Sequence, residues 1–255
     1  MALYIVHKYT NVMTHNGRIQ DAILKFKDFQ PESVSESLPS IDLAGFIDHT
    51  LLKPDATEAD VRKLCQEAEQ YSFKTVCVSS SWIPLCSELL SSSSTSPISV
   101  IGFPLGACLT TSKAIEAKMA IEAGAKEIDM VIPIGRLRGG DYDYVFKDVK
   151  SVYDSCGHTP LKVILETSML KHDEIVAACI ICKEIGVAFV KTTTGFGGGG
   201  AFVEHVALMK AVVGEGVGVK ASGGIRTYED ALKMYNAGAR RIGTSSSVTI
   251  VTKQK

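Results

Sequence analysis

The sequence predicts an α/β protein built as one (β/α)8 TIM barrel over residues 41–255, on three observations. From residue 41 short apolar strands alternate with amphipathic helices, and eight strand segments can be counted. Helix ends recur as Ala123-Gly-Ala125, Ile185-Gly-Val187 and Ala237-Gly-Ala239, where glycine takes the left-handed conformation that stops a helix before the next strand. No Gly-x-Gly-x-x-Gly follows the first strand, as an open dinucleotide-binding sheet requires. The chain's 255 residues also fit the about 250 that one closed barrel takes.

The units follow in order. Phe46 to Leu52 reads as a strand, and Thr57 to Tyr71 as a helix with apolar Val61, Leu64, Cys65 and Ala68 on one face. Thr75 to Val78 is the second strand, followed by a short helix from Trp82 to Leu90 and a serine-rich loop from Ser91 to Ser96. Ile98 to Phe103 with the helix Lys113 to Glu122 makes the third unit, and Glu127 to Ile132 with a helix around Tyr144 to Tyr153 the fourth. Leu161 to Thr167 with Asp173 to Glu184 is the fifth. Strand six holds Lys191 and precedes a helix from Val203 to Val213, and strand seven holds Lys220 and precedes one from Tyr228 to Asn236. Arg241 to Ser245 is the eighth strand. The run Gly197 to Gly200 follows strand six and reads as a mobile loop.

Residues 1–40 break this rhythm and form a separate N-terminal extension, partly disordered by expectation. Short apolar pieces (Tyr4 to Val6, Ala22 to Leu24) are mixed with a linker-like stretch from Gln30 to Ser37. Acidic Asp21, Asp28 and Glu32 argue against a mitochondrial presequence.

Lys+Arg 27 against Asp+Glu 28 leaves a net charge of −1, so nothing favours nucleic acid or a membrane surface as partner. No apolar run approaches the roughly 20 residues of a membrane span. Seven scattered cysteines read as reduced thiols of a cytoplasmic protein, and Cys179 and Cys182 as core residues of one helix.

Chemistry concentrates where strands end. Lys191 and Lys220 each close an apolar run that breaks at once into glycine and hydroxyl residues. Burial disfavours an ammonium and a second cation disfavours it further, so a lysine in such a place can fall to about 7 to 8, where the free amine is nucleophilic. Asp129 lies within the fourth strand, where a carboxylate needs a cation or a bound water. Lys162 and Glu166 share one face of strand five by period two, and form either site groups or structural ion pairs. His49, after Asp48 on strand one, reads as a structural histidine. Ser222-Gly-Gly224 after strand seven and Gly243 to Ser247 after strand eight occupy the two loops that most often hold phosphate in this architecture, with a short helix starting near Ser246. These residues leave open which lysine is the nucleophile.

Six phrases go further: Ile47 to Pro54, Ile101 to Gly106, Glu127 to Val131, Leu161 to Thr167, Phe189-Val-Lys-Thr-Thr-Thr-Gly195 and Val219-Lys-Ala-Ser-Gly-Gly-Ile-Arg226. In this order, from Ile41 to Ser247, the chain resembles the deoxyribose-phosphate aldolases. The resemblance implies a class I aldolase that reversibly splits 2-deoxy-D-ribose 5-phosphate into acetaldehyde and D-glyceraldehyde 3-phosphate in deoxyribonucleotide catabolism. It implies no metal and no organic cofactor. By the match Lys191 is the Schiff-base nucleophile, Lys220 the neighbouring cation, Asp129 the proton-passing carboxylate and Lys162 part of their network. Gly195, Gly223, Gly224, Gly243, Ser245 and Ser246 fall at the substrate and phosphate positions. The partner implied is a small phosphosugar, in a protein that can form the homodimer common in the family.

Two features depart from the family. Some members end in a tail with a terminal tyrosine that helps proton transfer, whereas Val248 to Lys255 carries none, so enamine protonation is expected to be slower or to use another donor. Phe196 stands where some members have a lysine, which removes one phosphate partner. The residues alone also admit another lysine-dependent phosphosugar enzyme, such as a transaldolase-like transferase, or a non-catalytic sugar-phosphate binder. An isomerase would not need paired lysines.

Overall fold

The computed structural model describes residues 15–31 and 41–253. Eight parallel strands close into a barrel in chain order: β1 Ile47–Leu51, β2 Thr75–Ser79, β3 Ser96–Ile101, β4 Glu127–Val131, β5 Leu161–Ile164, β6 Phe189–Lys191, β7 Gly218–Ser222 and β8 Arg241–Thr244. The predicted (β/α)8 TIM barrel is therefore the fold. Around it lie α2 Glu58–Gln70, α3 Ile83–Leu89, α4 Thr110–Glu122, α5 Ile134–Arg138, α6 Tyr142–Cys156, α7 His172–Ile185, α8 Val203–Val213, α9 Tyr228–Asn236 and α10 Ser247–Thr252. Local sequence starts and stops these helices. Thr57 caps α2 and Thr227 caps α9, each through a reciprocal bond with the aspartate three residues on, and Gly186 ends α7 at φ 83°.

Each strand is buried on both faces, as a parallel sheet under helices must be. Val76, Met130, Val163, Val190, Val219 and Ile242 pack outward into the helical layer with Val61, Ile175, Val206 and Ala231. Cys77, Ile98 and Val100 form a separate small apolar wall with Leu52 and Phe103. Among the alternate positions β1, β5, β6, β7 and β8 each carry one buried charge (Asp48, Lys162, Lys191, Lys220, Arg241), and β4 carries Glu127 and Asp129. Strand register sets those charges side by side: Asp129 against Lys162, Lys191 against Lys220, and Lys220 against Arg241.

Three segments add to or differ from the sequence expectations. Within residues 15–31 a helix, α1 His15–Phe26, lies on α7: Ile19 is fully buried, Glu184 accepts from His15 and Arg18, and His172 Nε2 bonds the Phe26 carbonyl at 2.8 Å. Ile19, Ala22, Ile23 and Phe26 have the spacing of one apolar helix face, and burying Ile19 alone contributes about 1.5–3 kcal/mol. Of the linker-like stretch only Gln30 and Pro31 are among the described residues, and Tyr4 to Val6 lies outside them. The serine-rich loop stops short of Ser96, which opens β3, and buried Thr95 donates to the Phe73 carbonyl at 2.8 Å. β5 ends at Ile164, so Glu166 is not on the strand with Lys162; at φ 58° it turns away and accepts from the Thr194 N–H at 3.2 Å and from its hydroxyl.

Candidate active site

Asp129, on β4, is the centre of the site. Its Oδ1 accepts from Lys162 at 2.9 Å, and its Oδ2 from Lys191 at 2.9 Å and Lys220 at 2.7 Å. Lys220 also reaches Asp48. Beneath, Arg241 pairs with Asp48 and with Glu127 at 3.0 Å, and Glu127 pairs with Lys162. The loops above are cross-tied: Thr192 and Thr193 donate to the Ser222 carbonyl at 2.8 and 2.9 Å, and Ser222 donates to the Thr193 carbonyl at 2.6 Å. Those bonds fix β6 against β7 immediately above the two lysines.

The lysines differ in surroundings. Lys191 keeps 3% of its surface exposed and lines a cavity of about 250 Å³ at the C-terminal mouth of the barrel. Lys220 is fully buried. Burial pulls the Lys191 pKa below the ordinary lysine value, with Lys220 adding to the effect and Asp129 opposing it. For Lys220 burial also works against the charge, but Asp129 and Asp48 outweigh it and hold the pKa above the ordinary value. Burial likewise opposes the charge of Asp129, and Lys162, Lys191 and Lys220 overcome it, holding that carboxyl well below the usual range. The cluster thus contains one amine disposed to lose its proton and one disposed to keep it.

The same cavity is lined by Gly195, Gly223, Gly224, Gly243, Ser245 and Ser246, so the six expected binding positions meet in one place. Gly223 has φ +98°, and a Cβ there would come within 2.2 Å of the Thr193 hydroxyl; only glycine fits. A Cβ on Gly243 would meet the Lys220 stem at 3.1 Å, so this glycine makes room for the lysine. Lys53 and Arg226 stand at the rim with Phe196, whose ring meets Phe103 edge-on at 5.3 Å. His49 is structural: it bonds Ser247 at 2.8 Å and Glu67 at 2.9 Å between β1, α10 and α2. Among the described residues no three His, Cys, Asp or Glu are grouped to hold a metal ion.

Sequence reasoning passes over Asp48, Glu127 and Arg241 as members of the cluster. Glu127 lies two residues before Asp129, and so shares its strand face. That period is the available signal.

A parallel barrel whose C-terminal mouth opens on a carboxylate held among lysines suits lysine-dependent carbonyl chemistry, and the family match makes the protein an enzyme of the aldolase type, a carbon–carbon lyase. The chain belongs to the DeoC/LacD family of aldolases, whose sequence model matches residues 43–250. It is similar to a Coccidioides immitis protein described as a deoxyribose-phosphate aldolase, at 40% identity and TM-score 0.88 over 93% of this chain and 97% of that one. It is also similar to the tetrameric deoxyribose phosphate aldolase of Aeropyrum pernix, at 33% identity and TM-score 0.76 over 92% and 95%. Among the described residues no helix is long and apolar enough to cross a membrane.

Proposed function

We propose that the protein reversibly cleaves 2-deoxy-D-ribose 5-phosphate to acetaldehyde and D-glyceraldehyde 3-phosphate through a Schiff base on Lys191. The observation that carries this reading is the asymmetry of the two lysines: Lys191 faces the cavity with a lowered pKa, and Lys220 is sealed beneath with a raised one. The Lys191 amine attacks C1 of the open-chain aldehyde, and loss of water gives a protonated imine. That nitrogen accepts the electron pair when the C2–C3 bond breaks and the C3 hydroxyl gives up its proton, leaving a neutral enamine. Protonation of the enamine at C2 and hydrolysis release acetaldehyde. Asp129, within hydrogen-bonding distance of Lys191, moves protons through a water, and Lys220 and Lys162 keep it ionised.

The phosphate sits against Gly195, Gly223, Gly224, Gly243, Ser245 and Ser246, with Lys53 and Arg226 supplying charge at the rim. Binding at that end orients C1 over Lys191, so a dephosphorylated sugar loses kcat as well as affinity. The reaction needs no metal and no organic cofactor, and its biological setting is deoxyribonucleotide catabolism in the cytoplasm, in a homodimer whose 41–255 barrel carries the activity. Borohydride reduction in the presence of deoxyribose 5-phosphate, followed by peptide mapping, tests the reading. A stable adduct on Lys191 is expected; an adduct on Lys220 reverses the roles, and active protein without an adduct refutes the Schiff base.

A further inference from the structure

The buried charges of the barrel close on themselves. Lys220 lies between Asp48 and Asp129, Asp129 also receives Lys162, Lys162 reaches Glu127, Glu127 is held by Arg241, and Arg241 returns to Asp48. Signs alternate round this ring, so its three cations and three carboxylates balance without Lys191. Lys191 hangs from the ring by Asp129 Oδ2, an oxygen that Lys220 already holds at 2.7 Å.

We propose that Glu127 and Arg241 are positioning residues that complete this neutral ring and thereby leave Lys191 without a carboxylate of its own, held by the barrel as a free amine. The inference rests on the Schiff-base reading and adds two residues that never touch substrate. Glu127 is the first residue of β4 and Arg241 the first of β8, at the end of the barrel away from the cavity, and neither lines it. A proton on Lys191 puts an unmatched charge in a site nearly closed to water. The groups acting on it are Asp129 from β4, Lys220 from β7 and the Cys77 thiol from β2, which burial keeps neutral, while Lys162 from β5 pairs with Asp129 and Asp48 from β1 with Lys220, one ion pair further out. On the β3 side stand apolar Ile98 and Val100. The ring therefore sets the field that Lys191 feels, and Glu127 and Arg241 are its remote carboxylate and remote cation.

Their removal has opposite signs. Glu127→Gln leaves three ring cations against two carboxylates, protonation of Lys191 becomes harder, and the acid limb of imine formation moves to lower pH. Arg241→Gln leaves two cations against three carboxylates and moves the limb to higher pH. Each displacement is expected at about half to one pH unit, the size that loss of a unit charge a few ion pairs away produces. Arg241→Lys keeps the charge and should restore a limb near that of the unaltered protein.

The experiment is the rate of Lys191 modification by acetaldehyde with cyanoborohydride from pH 5 to 9, read by peptide mass spectrometry on protein whose fold is checked by circular dichroism. Opposite displacements by the two glutamine variants support the ring. Limbs that stay put, or move the same way, in folded protein overturn it. Should only one variant fold, its own predicted direction decides. An unaltered protein that is never modified at Lys191 refutes the Schiff-base reading instead, a result distinguishable from a limb that does not move.

Discussion

Two buried lysine–carboxylate sites in this molecule are made of the same groups and invite different chemistry. Between α4 and α6, Lys113 meets Asp148 at 2.8 Å, the Thr110 hydroxyl satisfies the other carboxylate oxygen at 2.6 Å, and both charged side chains are fully buried. Inside the barrel, Asp129 meets three lysines, one of which lines a cavity. A matched pair with no opening holds two helices together. An unmatched cluster with an opening presents an amine to whatever enters.

The largest effect should separate the two sites at once. Lys191→Ala removes the proposed nucleophile, so kcat should fall by about 10³-fold or more. It also removes a buried amine that the unfolded chain protonates more readily than the fold does, so near pH 7 the thermal midpoint should hold or rise. A variant that unfolds, or keeps activity within tenfold, breaks the comparison. Asp148→Asn should do the reverse: it strands the Lys113 ammonium and destabilises by about 3–5 kcal/mol, while the folded fraction keeps its kcat. Replacing both partners with Lys113→Met and Asp148→Leu should recover most of that loss in a denaturant titration.

Acid titration sharpens the contrast. The folded pKa values of Asp129 and Asp48 are depressed, because nearby cations outweigh burial. Their stabilisation is present above the unfolded aspartate value of about 3.9 and is lost as pH falls through the folded values. Lys220→Met removes a cation from both, so acid unfolding should begin at higher pH. Lys191 has the opposite sign: its folded pKa lies below the unfolded lysine value of about 10.4, so between the two the unfolded chain binds more protons and stability rises with pH. Lys191→Met should flatten that rise in chemical denaturation from pH 7 to 10; an unchanged slope places Lys191 in an ordinary environment.

How much of this is legible in the sequence follows from where each charge stands. Lys191, Lys220 and Asp129 interrupt apolar strands, and a charge in such a run demands an explanation from the sequence alone. Glu127 and Arg241 open their strands, where a charged residue looks like part of a solvated turn. Asp48 stands beside His49 and reads as half of that pair. Barrel closure brings β1 against β8 and sets the entries of β4 and β8 across the interior, and no local pattern encodes that meeting. Glu166 departs from expectation for a local reason: period two counts residues along a strand but does not say that β5 stops at Ile164. The α1 face of Ile19, Ala22, Ile23 and Phe26 is short, adjoins a polar stretch, and gains its meaning from α7, far along the chain.

The smallest effect concerns the rim of the cavity, where charge is exposed rather than buried. Phe196 is 51% exposed and touches Phe103, at the end of the cavity lined by Gly195, Gly223 and Gly224. Phe196→Lys adds a cation beside the proposed phosphate. An exposed charge pair is worth up to about 1 kcal/mol and is screened by salt, so KM for deoxyribose 5-phosphate should fall up to about fivefold at low ionic strength and return towards its original value at high salt. kcat should hardly move, because an attraction present equally before and during bond cleavage does not lower the barrier of the chemical step. Unphosphorylated deoxyribose should show no gain. If both sugars respond alike, the change comes from losing the Phe103 contact, and the glycine end of the cavity is not where the phosphate binds. That outcome would leave the ring and its surplus amine standing, since neither depends on which group the rim attracts.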